Sequence, residues 1–217
     1  MESEPGGMAS KHASFAQTLG DLKRDGSNIL VVGTAATAAH GAACDRLLGE
    51  ENGGGRYRIE VTTADAGGDR GRDHGRSGDG ITRRTITYDP HRAGADRGEV
   101  DPLSALGADV IETIDRFEAE ADGLGPSELR LCVDSLVPLL QERRSEKVFR
   151  AVHVLTSRVR RVNGMAHYHL PLRPDHDAVR LFGPLFDATV ELRTREGRAE
   201  QRWHLREQAT PTDWHPV

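Results

Sequence analysis

Three places in this chain carry residue types whose spacing bears on chemistry. The first is Gly33 to His40, GTAATAAH, which follows the apolar run Ile29 to Val32 and opens an alanine-rich stretch with Ala36, Ala39, Ala43 and Leu47 at helical spacing. A strand, a glycine turn and a helix make the junction at which a phosphate-binding loop aims backbone N–H groups at a nucleotide. There a Lys reaches the β- and γ-phosphates, and a Ser or Thr hydroxyl holds Mg²⁺. Here Gly33 keeps the first glycine, whereas Ala38, Ala39 and His40 stand where the second glycine, the Lys and the hydroxyl belong. The junction has the outline of a nucleotide site without its cation or its metal ligand, and what is left is the positive end of the helix beginning near Ala36.

The second place is Asp134-Ser135, which closes the apolar run Leu129 to Val133. An Asp at that position orients Mg²⁺ in a working nucleotide hydrolase. Ser135 could stand as a nucleophile beside a His, but no third group is identifiable, so no nucleophile is assigned and no catalytic residue is expected. The third place is His167 and His169 in MAHYHL. Two apart on a strand, they share a face, where they could join His40 or Asp134 around a metal, or serve hydrogen bonding and packing. The packing role is the one expected, and no metal is assigned. Cys44, in the alanine-rich stretch, and Cys132, between Leu131 and Val133, show no metal-ligand spacing, so they read as buried free thiols.

Composition narrows the function classes. The 217 residues suit one domain, and the net charge of -5 gives no basic footprint for nucleic acid. Almost all positive charge is Arg, which reads as codon composition. No apolar run is long enough to span a bilayer, and MESEPGGMASKH has neither a basic nor an apolar leader region, so a cytoplasmic protein is expected.

Certain elements must position these residues. Residues 1–12 read as a disordered tail, and residues 13–207 as a single domain. Phe15, Leu19 and Leu22 predict a short amphipathic helix before the first strand. Tyr57 to Thr63 alternates as a second strand, and Thr82 to Tyr88 is a third. Between them, residues 66–80 form an Arg/Gly-rich insertion that cannot bury enough to fold alone and reads as solvated. Leu103, Leu106, Val110, Ile114 and Phe117 predict a helix. Over Ser145 to Val162 the stripe Val148, Val152, Leu155 and Val159 favours another helix, although FRAVHVLTS looks like a strand locally, and its arginines are expected in solvent. Ser145 is the expected cap of that helix, and Asp175 that of one carrying Val179 and Phe182. A hairpin of Ala188 to Arg193 and Gln201 to Arg206 turns at Gly197, and residues 208–217 read as a polar tail.

This order of elements from Ser27 to Arg206 resembles the core of RecA-like and KaiC-like ATPases. Through VDSLVPLLQ (Val133 to Gln141), VFRAVHVLTSRVR (Val148 to Arg160) and MAHYHLPL (Met165 to Leu172), the chain is similar to an uncharacterised haloarchaeal family related to them. The resemblance implies an α/β fold of three layers, a mostly parallel sheet with helices on both faces and a C-terminal β-hairpin. It further implies a vestigial nucleotide crevice at Gly33, Asp134 and Ser135. A catalytic carboxylate in such proteins follows the second strand, where only Asp65 stands. With the loop Lys and hydroxyl missing, the expectation is a pseudo-ATPase that requires no cofactor and acts as a regulatory or signalling interaction module. Its partner would be a protein or a second copy of itself. The alternative is an ATP- and Mg²⁺-binding protein, or a weak ATPase with an atypical loop.

Overall fold

The computed structural model describes residues 6–49, 57–63, 80–91, 101–206, 208 and 210–217. The insertion read at 66–80 and the acidic candidate Asp65 fall almost wholly outside these residues. Eight strands form one sheet in the order β3-β2-β4-β5-β1-β6-β7-β8. They are β1 (Ser27–Val32), β2 (Tyr57–Thr62), β3 (Thr82–Thr87), β4 (Leu129–Val133), β5 (Met165–Leu170), β6 (Ala188–Arg195), β7 (Arg198–Leu205) and β8 (His215–Pro216). Strands β3, β2, β4, β5, β1 and β6 run parallel, and β7 and β8 are antiparallel additions. The expected mostly parallel sheet with a C-terminal hairpin is therefore what the chain forms.

Strands β1, β4 and β5 are buried along their whole length, which explains the apolar runs of β1 and β4, while β5 buries two histidines among its apolar residues. Leu30 and Val32 face a large cluster that includes α3 (Pro102–Glu120), α4 (Val137–Glu142), α5 (Ser145–Arg161) and α6 (Asp177–Phe182). Ile29 and Val31 face the opposite way, into a smaller cluster with Phe15, Leu19 and Leu22 of α1 (Gly6–Arg24) and Ala43 of α2 (Thr37–Leu48). Helices thus cover both faces.

Several boundaries differ from the sequence reading, each for a local reason. Helix α1 begins at Gly6, within the stretch read as tail. The cap of α6 is His176 rather than Asp175: its Nδ1 accepts from Ala178 N at 3.1 Å, while Asp175 is drawn away to Arg173. Helix α5 has Arg144 rather than Ser145 at its N-cap, with no side-chain cap bond. The C-terminal segment is not wholly a tail, because β8 pairs with Glu200 and Gln201 of β7. Nor do all the arginines of α5 face water. Arg158 donates to Asp115 on α3 at 2.7 and 2.9 Å and to Glu118 at 2.5 Å, and Arg160 reaches Asp187 at 2.8 Å.

Gly33 fixes how the chain leaves β1. Its φ is 116°, and a Cβ there would lie 2.0 Å from the carbonyl oxygen of Leu192 in β6. No L side chain fits either constraint. Gly107, inside α3, has open space around it. Gly33→Ala is therefore expected to lower unfolding free energy by roughly 3 kcal/mol, through backbone strain and forced displacement of β6. Gly107→Ala should raise it by about 0.5–1 kcal/mol through helix propensity. Urea denaturation of the two variants side by side checks both signs.

Candidate functional site

At the carboxyl edge of the sheet, β1 runs into the short turn Gly33 to Ala36 and α2 begins at Thr37. Gly33 N donates to Leu172 O at 2.8 Å, which ties the turn to the end of β5. No side chain caps α2 at Ala36. The interior of the turn belongs to His40. Its Nε2 lies 3.0 Å from Gly33 O and its Nδ1 lies 3.0 Å from Nδ1 of His169.

Proton placement follows from the carbonyl, which can only accept. His40 Nε2–H donates to Gly33 O. Burial lowers the His40 pKa, so the ring is neutral near pH 7 and its Nδ1 is an acceptor. His169 must then donate from Nδ1, which leaves the lone pair on Nε2. That ring is also neutral, because burial pulls its pKa down to about 4. His169 is 3% exposed and its Nε2 has no hydrogen-bond partner.

Asp134 and Ser135 stand at the neighbouring strand end, where the sequence places them, but their polar atoms serve the fold. Thr63 donates to Asp134 Oδ1 from its backbone N at 2.9 Å and from its hydroxyl at 2.8 Å, joining the ends of β2 and β4. Ser135 Oγ accepts from Val137 N at 3.2 Å and starts α4. Gly33, Asp134 and Ser135 thus share one edge of the sheet, each with a structural partner.

One group of side chains is brought together that the linear sequence keeps apart. Cys132 of β4 pairs in register with His167 of β5, so the two stand side by side on the face covered by α2. Cys44 comes down from α2, one turn after His40. Its Sγ lies 3.1 Å from Cys132 Sγ and 3.3 Å from His167 Nε2. With His169, two residues along β5, the four offer ligand atoms all within 4.8 Å of one another. Cys132, His167 and His169 are buried and Cys44 is half-buried. The thiols behave as a pair. Hydrogen bonding from Cys132 draws the Cys44 pKa down, and the same partnership, with burial, pushes Cys132 up. The negative charges of Glu60 and Asp134 act on Cys132 in the same upward direction.

Sequence reasoning found the His167/His169 pair by its strand alternation and missed the cysteines, which are separated by 88 positions. A usable signal was present in α2, where His40 and Cys44 are four apart and so share a helical face.

With this geometry in view, comparison with known proteins adds one assignment. A family of unknown function, DUF7504, matches residues 26–192, from just before β1 into β6. The chain belongs to this family. No curated protein matches it. The matched span holds Gly33, His40, Cys44, Cys132, Asp134, His167 and His169, so the whole site lies within the family's own segment. Among the described residues, no helix is long and apolar enough to cross a membrane.

The Thr63–Asp134 contact is open to direct measurement. Thr63→Val removes one donor to a partly buried carboxylate and should destabilise the chain by about 1–3 kcal/mol. A double-mutant cycle with Asp134→Asn should return a coupling of roughly 1–2 kcal/mol between the two positions, as expected for groups in direct contact.

Proposed function

We propose that this chain is a non-catalytic domain on the RecA/KaiC-like plan that acts by binding, as a regulatory or signalling interaction module. The observation that carries the reading is the position of His40. Where a working phosphate loop needs a hydroxyl for Mg²⁺, this chain has an imidazole bonded to the loop's own first carbonyl, at 3.0 Å from Gly33 O. The turn is held from within, and the preceding Ala39 is buried and brings no charge.

The sheet supports the same plan. One strand, β5, separates the strand that ends at Gly33 from the strand that ends at Asp134. The connections leaving β1 and β5 pass to opposite faces, which is where open α/β sheets form their ligand crevice. Stabilising a transferring phosphoryl group depends on fixed cations and metal ligands, and Ala39 and His40 supply neither at the loop's two key positions. Asp134 Oδ1 is engaged by Thr63 instead. What the domain presents outward includes Val154 of α5 and Leu181 of α6, which are 49% and 42% exposed. Contact with a protein partner or a second copy is therefore tested first at these two side chains.

Calorimetric titration of ATP and ADP, with and without Mg²⁺ in high-potassium buffer, should show no Mg²⁺-dependent binding, and a coupled assay should show no ATP turnover. Sedimentation of the same sample should show concentration-dependent association that Val154→Glu weakens. Steady ATP hydrolysis that Asp134→Asn abolishes would establish the enzyme reading in its place.

A further inference from the structure

We propose that Cys44, Cys132, His167 and His169 form a closed, tetrahedral site for a transition-metal ion of the zinc class, locking α2 onto β4 and β5. The first support is geometric. Zinc bonds of about 2.3 Å to sulfur and about 2.0–2.1 Å to nitrogen imply ligand-to-ligand edges of roughly 3.3–3.8 Å in a tetrahedron. The separation of 3.3 Å between Cys44 Sγ and His167 Nε2 is within about 0.3 Å of its edge, the two sulfurs at 3.1 Å would move apart by about 0.7 Å, and all four ligand atoms already lie within 4.8 Å of one another. Two thiolates and two imidazoles are a soft donor set that selects zinc over Mg²⁺ or Ca²⁺.

The second support is independent of distance. His169 Nε2 is buried without a hydrogen-bond partner, a cost that a folded chain rarely carries without a reason. The chain from Gly33 O through His40 places the proton of His169 on Nδ1, so the unpartnered Nε2 holds a lone pair. Metal-ligating histidines are oriented in this way, with the distal nitrogen donating to a fixed acceptor. His40 is in this account a positioning residue and not a ligand.

Charge agrees with both. Two thiolates and a divalent ion sum to zero, which suits a buried site, and Glu60 and Asp134 bias the neighbourhood of Cys132 toward a cation. Four protein ligands leave no open position, so the site is structural. A disulfide is the competing use of the two sulfurs, but it needs a separation near 2.05 Å and would leave His169 Nε2 unserved. Metal binding is independent of whether a nucleotide binds.

The test starts with the full-length wild-type chain, so it does not depend on any variant folding. Elemental analysis of the purified protein should give one zinc per chain. After chelation and reconstitution with Co²⁺, its spectrum should show the intense d–d bands of tetrahedral cobalt and a thiolate-to-cobalt charge-transfer band. Removing the metal should lower Tm by roughly 10 °C, restored by Zn²⁺ and not by Mg²⁺. Cys44→Ser and His169→Gln should each weaken zinc binding by at least about 100-fold, and His40→Ala by about 10–100-fold. The proposal is overturned if zinc is far below one per chain and Co²⁺ gives only the weak spectrum of six-coordinate ion. It is equally overturned if the protein holds a Cys44–Cys132 disulfide by mass spectrometry and takes up no metal after reduction.

Discussion

The absence of a side chain at Gly33 governs where everything at the carboxyl edge of the sheet can sit. The backbone there runs so close to Leu192 O that a Cβ would overlap it, and the φ of 116° sends the chain directly into a short turn and over the sheet. Helix α2 consequently lands across β4, β5 and β6 rather than beside them. Its buried residues, Ala39, Ala43 and Leu48, include two of the smallest apolar side chains, so its axis approaches the strands closely. A side chain as short as that of Cys44 then reaches β4 and β5. With larger residues on that stripe the helix would ride higher, and its thiol would not meet Cys132.

The two faces of the sheet are held by different physics. Under α3, α4, α5 and α6 the contacts are those of an ordinary apolar core: Ile59, Leu131, Val133, Tyr168 and Leu170 interlock with the helix stripes. Under α2 the strands combine apolar Ile29, Val31 and Val190 with Arg58, Arg130, Glu60, Cys132, His167 and His169. Arg130 donates to Leu47 O at 3.2 Å and Arg58 to Gly49 O at 2.8 Å, so two guanidinium groups satisfy carbonyls at the negative end of α2. His40 closes the other end through Gly33 and His169. Helix α2 is thus fastened by polar bonds at both ends and by alanine contacts between them. Such an element is directional in a way that a purely apolar helix is not, because a shift of one turn would break every one of these bonds.

Much of the scaffold was legible from local pattern. Apolar runs marked the strands at Ile29 to Val32 and Leu129 to Val133, and the long stripe from Val148 to Val159 outweighed the strand-like look of FRAVHVLTS. Alternation around Gly197 marked the hairpin. Local pattern failed where the outcome depends on a partner elsewhere. The β8 segment has no strand signal of its own and exists because β7 offers it an edge. Arg158 looks like a solvent residue until α3 brings Asp115 and Glu118 beside it. The cysteines are the sharpest case. Their meeting depends on the register that sets Cys132 opposite His167 and on the height of α2, and neither is written within a few residues of Cys44 or Cys132. His40 was visible as a departure from a phosphate loop and as a possible neighbour of His167 and His169, but not as the hydrogen-bond partner that orients the His169 ring.

That double contact ties the turn after β1 to the histidine on β5. A hydroxyl at position 40 would be free to hold Mg²⁺, but it could not span from Gly33 O to His169, because the two imidazole bonds leave from opposite sides of one ring. An imidazole there fixes the proton on His169 Nδ1 and fills the turn at the same time. The requirement for an open loop and the requirement for an oriented histidine therefore compete for a single position. The imidazole that stands at the loop's hydroxyl position also orients the His169 ring, so a substitution at position 40 alters the turn and that histidine together.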